Sequence, residues 1–326
     1  MLRTKIIGTG SYLPKKVISN YDLEKMVNTS DEWITERTGI KERRIAGDGE
    51  ATSDLAYHAS LKAIKDAKIN PKQIELVIVA TITPDMAFPS TACILQDRLG
   101  LKDTVAFDIS AACSGFIFGL AVADQFIKSG IYKTALIVGA ETLSKVTDWK
   151  DRTTCILFGD GAGAAIIQAS KSTSGIISFH LHSDGAYVDL LYIPGGGSRN
   201  PASYKTINDG LHFIKMRGNE TFKIAVKTLE GVVMEAVEAN GISPSEIDLL
   251  IPHQANLRII QATAKRLGLP MEKVLVNIDR YGNTSAASVP IALDEAVRTK
   301  RVKKGDLILL EAFGGGLTWA AALIRW

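Results

Sequence analysis

Of the three cysteines and five histidines in this 326-residue chain, one of each lies where covalent chemistry could be done. Cys113 stands in DISAACSGF, after an apolar strand-like run and before an apolar helical one, among small residues that let the backbone turn sharply. A thiol there would feel the positive end of a helix macrodipole, which favours thiolate. A buried cysteine acting as a small hydrophobe fits the same position equally well, and that role suits Cys93 in TACILQDRLG and Cys155 in TTCILF. His253 follows IDLLIP and precedes a helix opening near Asn256, a strand-end position that pairs it with Cys113. Asn283, in YGNTSAAS, occupies another strand-to-helix turn. A lone His or Asn at a turn is more often a cap. With Cys113 they read as one catalytic set. His180 and His182, in HLHSD with Asp184, could mimic a metal triplet, but no further cluster completes a site. No metal is expected.

The elements that must position these residues come in two copies. The first runs IELVIVATITPD, a helix ending in RLGL, the strand TVAFDI, the turn SAACSG with its helix, and the strands ALIVGAE and GAGAAIIQ. The second runs IDLLIPHQAN, a helix ending in RLGL, the strand VLVNI, the turn YGNTSAAS with its helix, and the strands LILLEAF and LTWAAALIRW. Strands so rich in Val, Ile and Leu are of the kind buried on both faces. An α/β fold of layered sheets follows, with ligands at the carboxyl ends of strands. The Ser/Lys/Thr cluster SKSTSG places the boundary near residue 172. Half 1–172 then carries Cys113, half 173–326 carries His253 and Asn283, and the two share one core.

Composition narrows the function classes. A net charge of +3 is small for this length and gives no reason to expect nucleic acid. An odd number of cysteines makes no disulfide framework. The opening MLRTKIIGTGSYLP lacks a secretory core, and no stretch reads as a membrane span, so a cytoplasmic protein without a membrane partner is expected.

Four segments, DISAACSGF, IPHQAN, YGNTSAAS and FGGGLTW, resemble the active-site motifs of the β-ketoacyl-acyl-carrier-protein synthase III family. The resemblance runs from KIIGTGSYLP to Trp326. It implies the five-layered αβαβα thiolase fold, a homodimer, and an acyltransferase that initiates type II fatty acid synthesis. In that family the cysteine takes the acyl group of a short acyl-CoA, acetyl-CoA being the first candidate here. Malonyl-acyl-carrier protein then loses carbon dioxide and condenses, giving 3-oxoacyl-carrier protein and CoA. The resemblance assigns the oxyanion hole to the N–H groups of Cys113 and Gly315, and donation to the malonyl thioester oxygen to His253 and Asn283. Acyl-CoA is a substrate, and no cofactor is implied.

Two binding surfaces are also expected. Thr29 and Glu32 have capping-box spacing, Gly39 suits a C-cap, and Trp33 and Arg37 share a helix face. The resemblance places the CoA adenine between Trp33 and Arg152, its phosphates at Arg37, and its pantetheine along Gly218, Phe222 and Asn256. An acidic carrier protein calls for a basic rim. Arg258 and Lys265 fall together on the helix NLRIIQATAKRLG, whose buried stripe would be Ile260, Ala264 and Leu267, and Lys223 and Lys227 extend the patch.

Rival functions fit less well. Gly8 and Gly10 begin a dinucleotide fingerprint, but Leu13 stands where its third glycine belongs, and FGDGAG lacks the Lys-Ser/Thr of a P-loop. The remaining alternatives are a related synthase with another primer and a non-catalytic thiolase-fold subunit.

Overall fold

The computed structural model describes residues 3–326. Nine strands build two stacked sheets: β1 (Arg3–Tyr12), β2 (Leu76–Ala80), β3 (Val105–Ile109), β4 (Thr134–Glu141), β5 (Gly161–Ser170), β6 (Gly175–Ser183), β7 (Leu249–Pro252), β8 (Leu307–Gly314) and β9 (Thr318–Arg325). The first sheet has the order β1-β5-β4-β2-β3 and the second β7-β8-β9-β6. In both, the outer pairs at the chain-start edge are antiparallel and the next crossover pair is parallel. The second sheet therefore repeats the first, less one strand.

Period-2 alternation sends the two faces of each strand into different interiors. Leu76 and Ile78 of β2 join a central core while Val77 and Val79 join an outer one. In β8, Ile308, Leu310 and Ala312 face the centre, and Leu307, Leu309 and Phe313 face the other outer layer. The central layer holds α4 (Gly115–Lys128) and α7 (Ser288–Arg298). One outer layer holds α2 (Thr52–Ala67) and α3 (Thr91–Arg98); the other holds α5 (Gly218–Ala239) and α6 (Leu257–Leu267). This is the expected αβαβα sandwich. In α6 the predicted stripe of Ile260, Ala264 and Leu267 is buried.

Three local expectations need correction. VLVNI does not form a strand: it makes a single bridge, from Val274 to Leu250. The buried Gln254 side chain takes over the ladder there. Its Oε1 accepts the N–H groups of Asn277 and Ile278, and its Nε2 donates to Leu275 O at 3.1 Å. In helix α1 (Asp31–Thr38) the cap is Ser30, whose hydroxyl accepts from Trp33 N at 3.1 Å, and not Thr29. Gly39 closes that helix in the left-handed region, at φ +80°, as expected. Finally, His253 is not the counterpart of Cys113. Aligning the copies on Leu76 and Leu249, the first residues of β2 and β7, matches His253 to Ala80.

Candidate active site

The repeat brings two tight turns face to face. Cys113 lies in a 3-10 turn, Ala112–Ser114, that leads into α4, and Ser285–Ala287 forms the matching turn into α7. Each holds a non-glycine residue in the left-handed region: Ala112 at φ +45° and Ser285 at φ +48°. Such conformations cost of order 1–3 kcal/mol and persist where the surroundings enforce them. Here the two turns pack on one another and the Cys113 turn packs on β8. The fit to β8 requires glycine, because a Cβ on Gly314 would lie 2.6 Å from Cys113 N. Ser114 Oγ donates to Ala111 O at 2.8 Å, and Thr318 Oγ1 donates to the same carbonyl at 2.9 Å, pinning the nucleophile turn to β9.

Cys113 is buried, and burial pushes its thiol up to about 12, with Glu141 nearby adding to the rise. That reverses the expectation of a resting thiolate. A helix terminus is worth about 0.3–1 kcal/mol at a surface, too little to offset loss of water around a thiolate. Cys93 is exposed, contrary to the expectation that it packs as a small buried hydrophobe, whereas Cys155 is buried among the residues under α1 with its thiol raised to about 11, mainly by burial.

His253 hangs from the end of β7, where its N–H donates to Glu311 O of β8 at 2.8 Å. Burial pulls its imidazole down to about 3, so the ring is neutral at ordinary pH, and Nδ1 has no partner. Asn283 is fixed at both ends. Its N–H donates to Leu157 O and its carbonyl accepts from Gly159 N, while its Oδ1 accepts from Ser285 N at 2.9 Å. Only the Asn283 NH2 is left to donate elsewhere.

A cavity of about 370 Å³ opens onto Cys113 and is walled by apolar side chains, among them Ile82, Leu143, Phe158 and Leu191. Gly315, Gly316 and Ser285 also line it. His253 and Asn283 do not line it. Two lining residues connect to Asn283: Phe158 bridges to it, and Ser285 N donates to its Oδ1.

The surface residues form a second group. The Trp33 ring has the guanidinium of Arg37 4.8 Å from its centre and that of Arg152 at 4.9 Å. Asn256 caps α6 by accepting from Arg258 N, and its Nδ2 donates to Arg37 O at 2.9 Å. Arg258 in turn lies over Phe222 of α5, at 5.1 Å. Trp33, Arg37, Arg152, Asn256, Arg258 and Phe222 thus form one continuous strip. Gly218 opens α5 one turn before Phe222. Lys223, Lys227 and Lys265 are exposed on the neighbouring helices. His180 and His182 are both held by Glu235, at 3.2 and 2.7 Å, and among the described residues no cluster suits a metal.

Two residues near Cys113 escaped the sequence analysis. Glu141 ends the apolar strand ALIVGAE, and that acidic end was the available signal; Ser285 stood inside an already quoted turn. A third, Gln254, follows His253 directly.

Two doubled sheets enclosing a pair of central helices, with a thiol at the mouth of one helix, define the thiolase-fold acyltransferases. The family patterns described as 3-oxoacyl-[acyl-carrier-protein] synthase III and its C-terminal part match residues 107–185 and 237–326. A β-ketoacyl-[acyl-carrier-protein] synthase III of Caldanaerobacter subterraneus is 59% identical over 98% of this chain and 97% of its own length. One of Xanthomonas campestris is 58% identical over 99% and 98%. The crystal structure of the Aquifex aeolicus 3-oxoacyl-[acyl-carrier-protein] synthase III superposes with a TM-score of 0.93 at 53% identity, covering 99% of this chain and all of that one. The chain belongs to the β-ketoacyl-acyl-carrier-protein synthase III family.

Proposed function

We propose that this protein primes fatty acid synthesis by transferring an acyl group from acyl-CoA to Cys113 and condensing it with malonyl-acyl-carrier protein. The observation that supports the assignment of roles is a buried thiol opening onto an apolar cavity, with Asn283 tied to the cavity-lining Ser285 and a neutral His253 at the end of β7. In the first half-reaction the Cys113 sulfur attacks the thioester carbonyl and CoA leaves as its thiol. The N–H groups of Cys113 and Gly315 receive the oxyanion, a reading supported by both residues lining the same cavity. In the second, loss of carbon dioxide leaves an enolate whose oxygen is held by His253 and Asn283. A neutral imidazole suits that task, and burial keeps His253 neutral. The enolate carbon then attacks the acyl-Cys113 carbonyl, and the 3-oxoacyl-carrier protein departs.

The strip from Trp33 to Phe222 supports CoA binding by Trp33, Arg37, Arg152, Gly218, Phe222 and Asn256. Arg258, Lys223 and Lys265 supply the basic rim for an acidic carrier protein. Each charge that develops has a protein donor, so the enzyme works with acyl-CoA as substrate and no resident cofactor. Halves 1–172 and 173–326 act as one unit, the first supplying the nucleophile and the second the donors. The open edge of β3, on which Val105 is exposed, and the exposed Met86 and Phe88 support a homodimer. Among the described residues no helix is long and apolar enough to cross a membrane; an acyl-CoA substrate supports a cytoplasmic enzyme. A panel of acyl-CoA primers assayed with malonyl-acyl-carrier protein tests this function. Formation of 3-oxoacyl-carrier protein is expected with at least one short primer; none formed with any primer would refute it.

A further inference from the structure

A thiol that burial holds protonated must give up its proton before it can attack, and the buried His253 ring is a poor acceptor. The surroundings of Cys113 offer another. Glu141 is the last residue of β4 and is fully buried. Its carboxyl accepts from Thr83 Oγ1 at 2.5 Å, Thr81 Oγ1 at 3.2 Å and Ile82 N at 3.2 Å. Two residues before Glu141, β4 sits directly on the Ser285 turn: a Cβ on Gly139 would meet Ala286 O at 2.1 Å. Ser285 lines the same cavity as Cys113, and its turn packs both on the Cys113 turn and on the strand that ends in Glu141; through this packing its hydroxyl bears on the titration of both groups. In the resting geometry that hydroxyl is buried and completes a well-aligned hydrogen bond with neither. A hydroxyl can accept one proton while donating another, which is what a relay between these groups needs.

We propose that Ser285 and Glu141 form the proton relay of Cys113. The thiol proton passes to Ser285 Oγ while the Ser285 proton passes to a Glu141 carboxylate oxygen. The sulfur is then free to bond to the acyl carbon. As the carbon–sulfur bond to CoA breaks, the proton returns by the same route to the CoA sulfur, leaving acyl-Cys113, CoA thiol and the Glu141 carboxylate. In this relay Ser285, which lines the cavity with Cys113, exchanges the proton with the sulfur, and Glu141 works only through Ser285. Burial lifts Glu141 to about 7 while it pulls His253 down to about 3, so the carboxylate is the better acceptor near neutral pH. The other titratable groups on neighbouring elements face elsewhere: Glu311 of β8, buried with one oxygen unpartnered, lies on the outer face of its strand toward Thr263 of α6. Asp160, beside the Glu141 partner Gly161, accepts from Ala46 N and Ser144 N, and Asp85 accepts from Ser53 N and Oγ.

The inference rests on Cys113 being the nucleophile, which Cys113→Ala tests separately by loss of the acyl label. For the relay, single-turnover CoA release is followed from about pH 5.5 to 9 in wild type, Glu141→Gln and Ser285→Ala, alongside carbon dioxide release from malonyl-carrier protein. Wild-type acylation should rise with an inflection near the Glu141 value of about 7. Both variants should acylate about a hundredfold more slowly without that inflection, and keep decarboxylation within about threefold. Acylation that keeps its rate, or its inflection, in Glu141→Gln overturns the relay, as does an unaffected Ser285→Ala. Equal loss of both half-reactions at every pH also overturns it, since the pair would then be a structural support.

Discussion

Asn283 Oδ1 accepts the backbone N–H of Ser285 at 2.9 Å, so the Asn283 amide is turned with its NH2 as the only group free to donate. This fixes its direction before any substrate arrives. Decarboxylation builds charge on a thioester oxygen that needs such a donor, whereas acylation builds an oxyanion at backbone N–H groups.

Removing the donor should therefore split the half-reactions. Asn283→Ala is expected to slow carbon dioxide release and condensation by about a hundred- to thousandfold, while label exchange between acyl-CoA and CoA survives. His253→Ala should show the same asymmetry. Equal loss of both activities in a folded Asn283→Ala protein would make Asn283 an organiser of the whole site.

Arg258 makes the electrostatic prediction. It is exposed at the start of α6 and stacked over Phe222, so its charge is presented on a rigid face. Arg258→Glu should raise KM for malonyl-acyl-carrier protein by about tenfold and spare acylation by acyl-CoA. The wild-type KM should also rise with salt. A KM indifferent to both changes would leave Arg258 a solvated helix residue.

Glu311 makes a stability prediction. Its side chain is buried against α6, near Thr263, with Oε2 unpartnered, and burial lifts its carboxyl from 4.5 to about 8. The unfolded chain releases this proton near 4.5, the folded chain near 8, so the group's contribution is fully present below the lower value and lost as pH rises through the upper. Glu311→Gln removes the titration. Urea unfolding should find the variant more stable than wild type at about pH 8, by on the order of 2–4 kcal/mol, with the gap closing near pH 5. The same pH dependence in both proteins would contradict this.

The doubled α/β plan was readable because buried strands leave apolar runs, and because RLGL and the small-residue turns recur in register. The turns at Cys113 and Asn283 were readable from their small residues, which mark a sharp entry into an apolar helix, although a short helical turn and not a strand precedes Asn283. What failed depended on partners remote in sequence. VLVNI has the composition of a strand, yet the Gln254 side chain satisfies backbone groups that a neighbouring strand would have taken. The dipole near Cys113 was visible, but its burial comes from β8 and the Ser285 turn, on the other half of the chain. Glu141 and Ser285 are 144 positions apart by their numbers, and only folding makes them neighbours of one thiol.

The assignment of Cys113 as the acyl-bearing nucleophile is tested most directly by incubating the protein with radiolabelled acetyl-CoA and locating the label. One equivalent is expected on Cys113, none on Cys93 or Cys155, and none on a folded Cys113→Ala protein. Should acetyl be too short a primer, the same experiment with labelled longer acyl-CoAs must give that pattern. Undiminished labelling of Cys113→Ala would contradict the assignment.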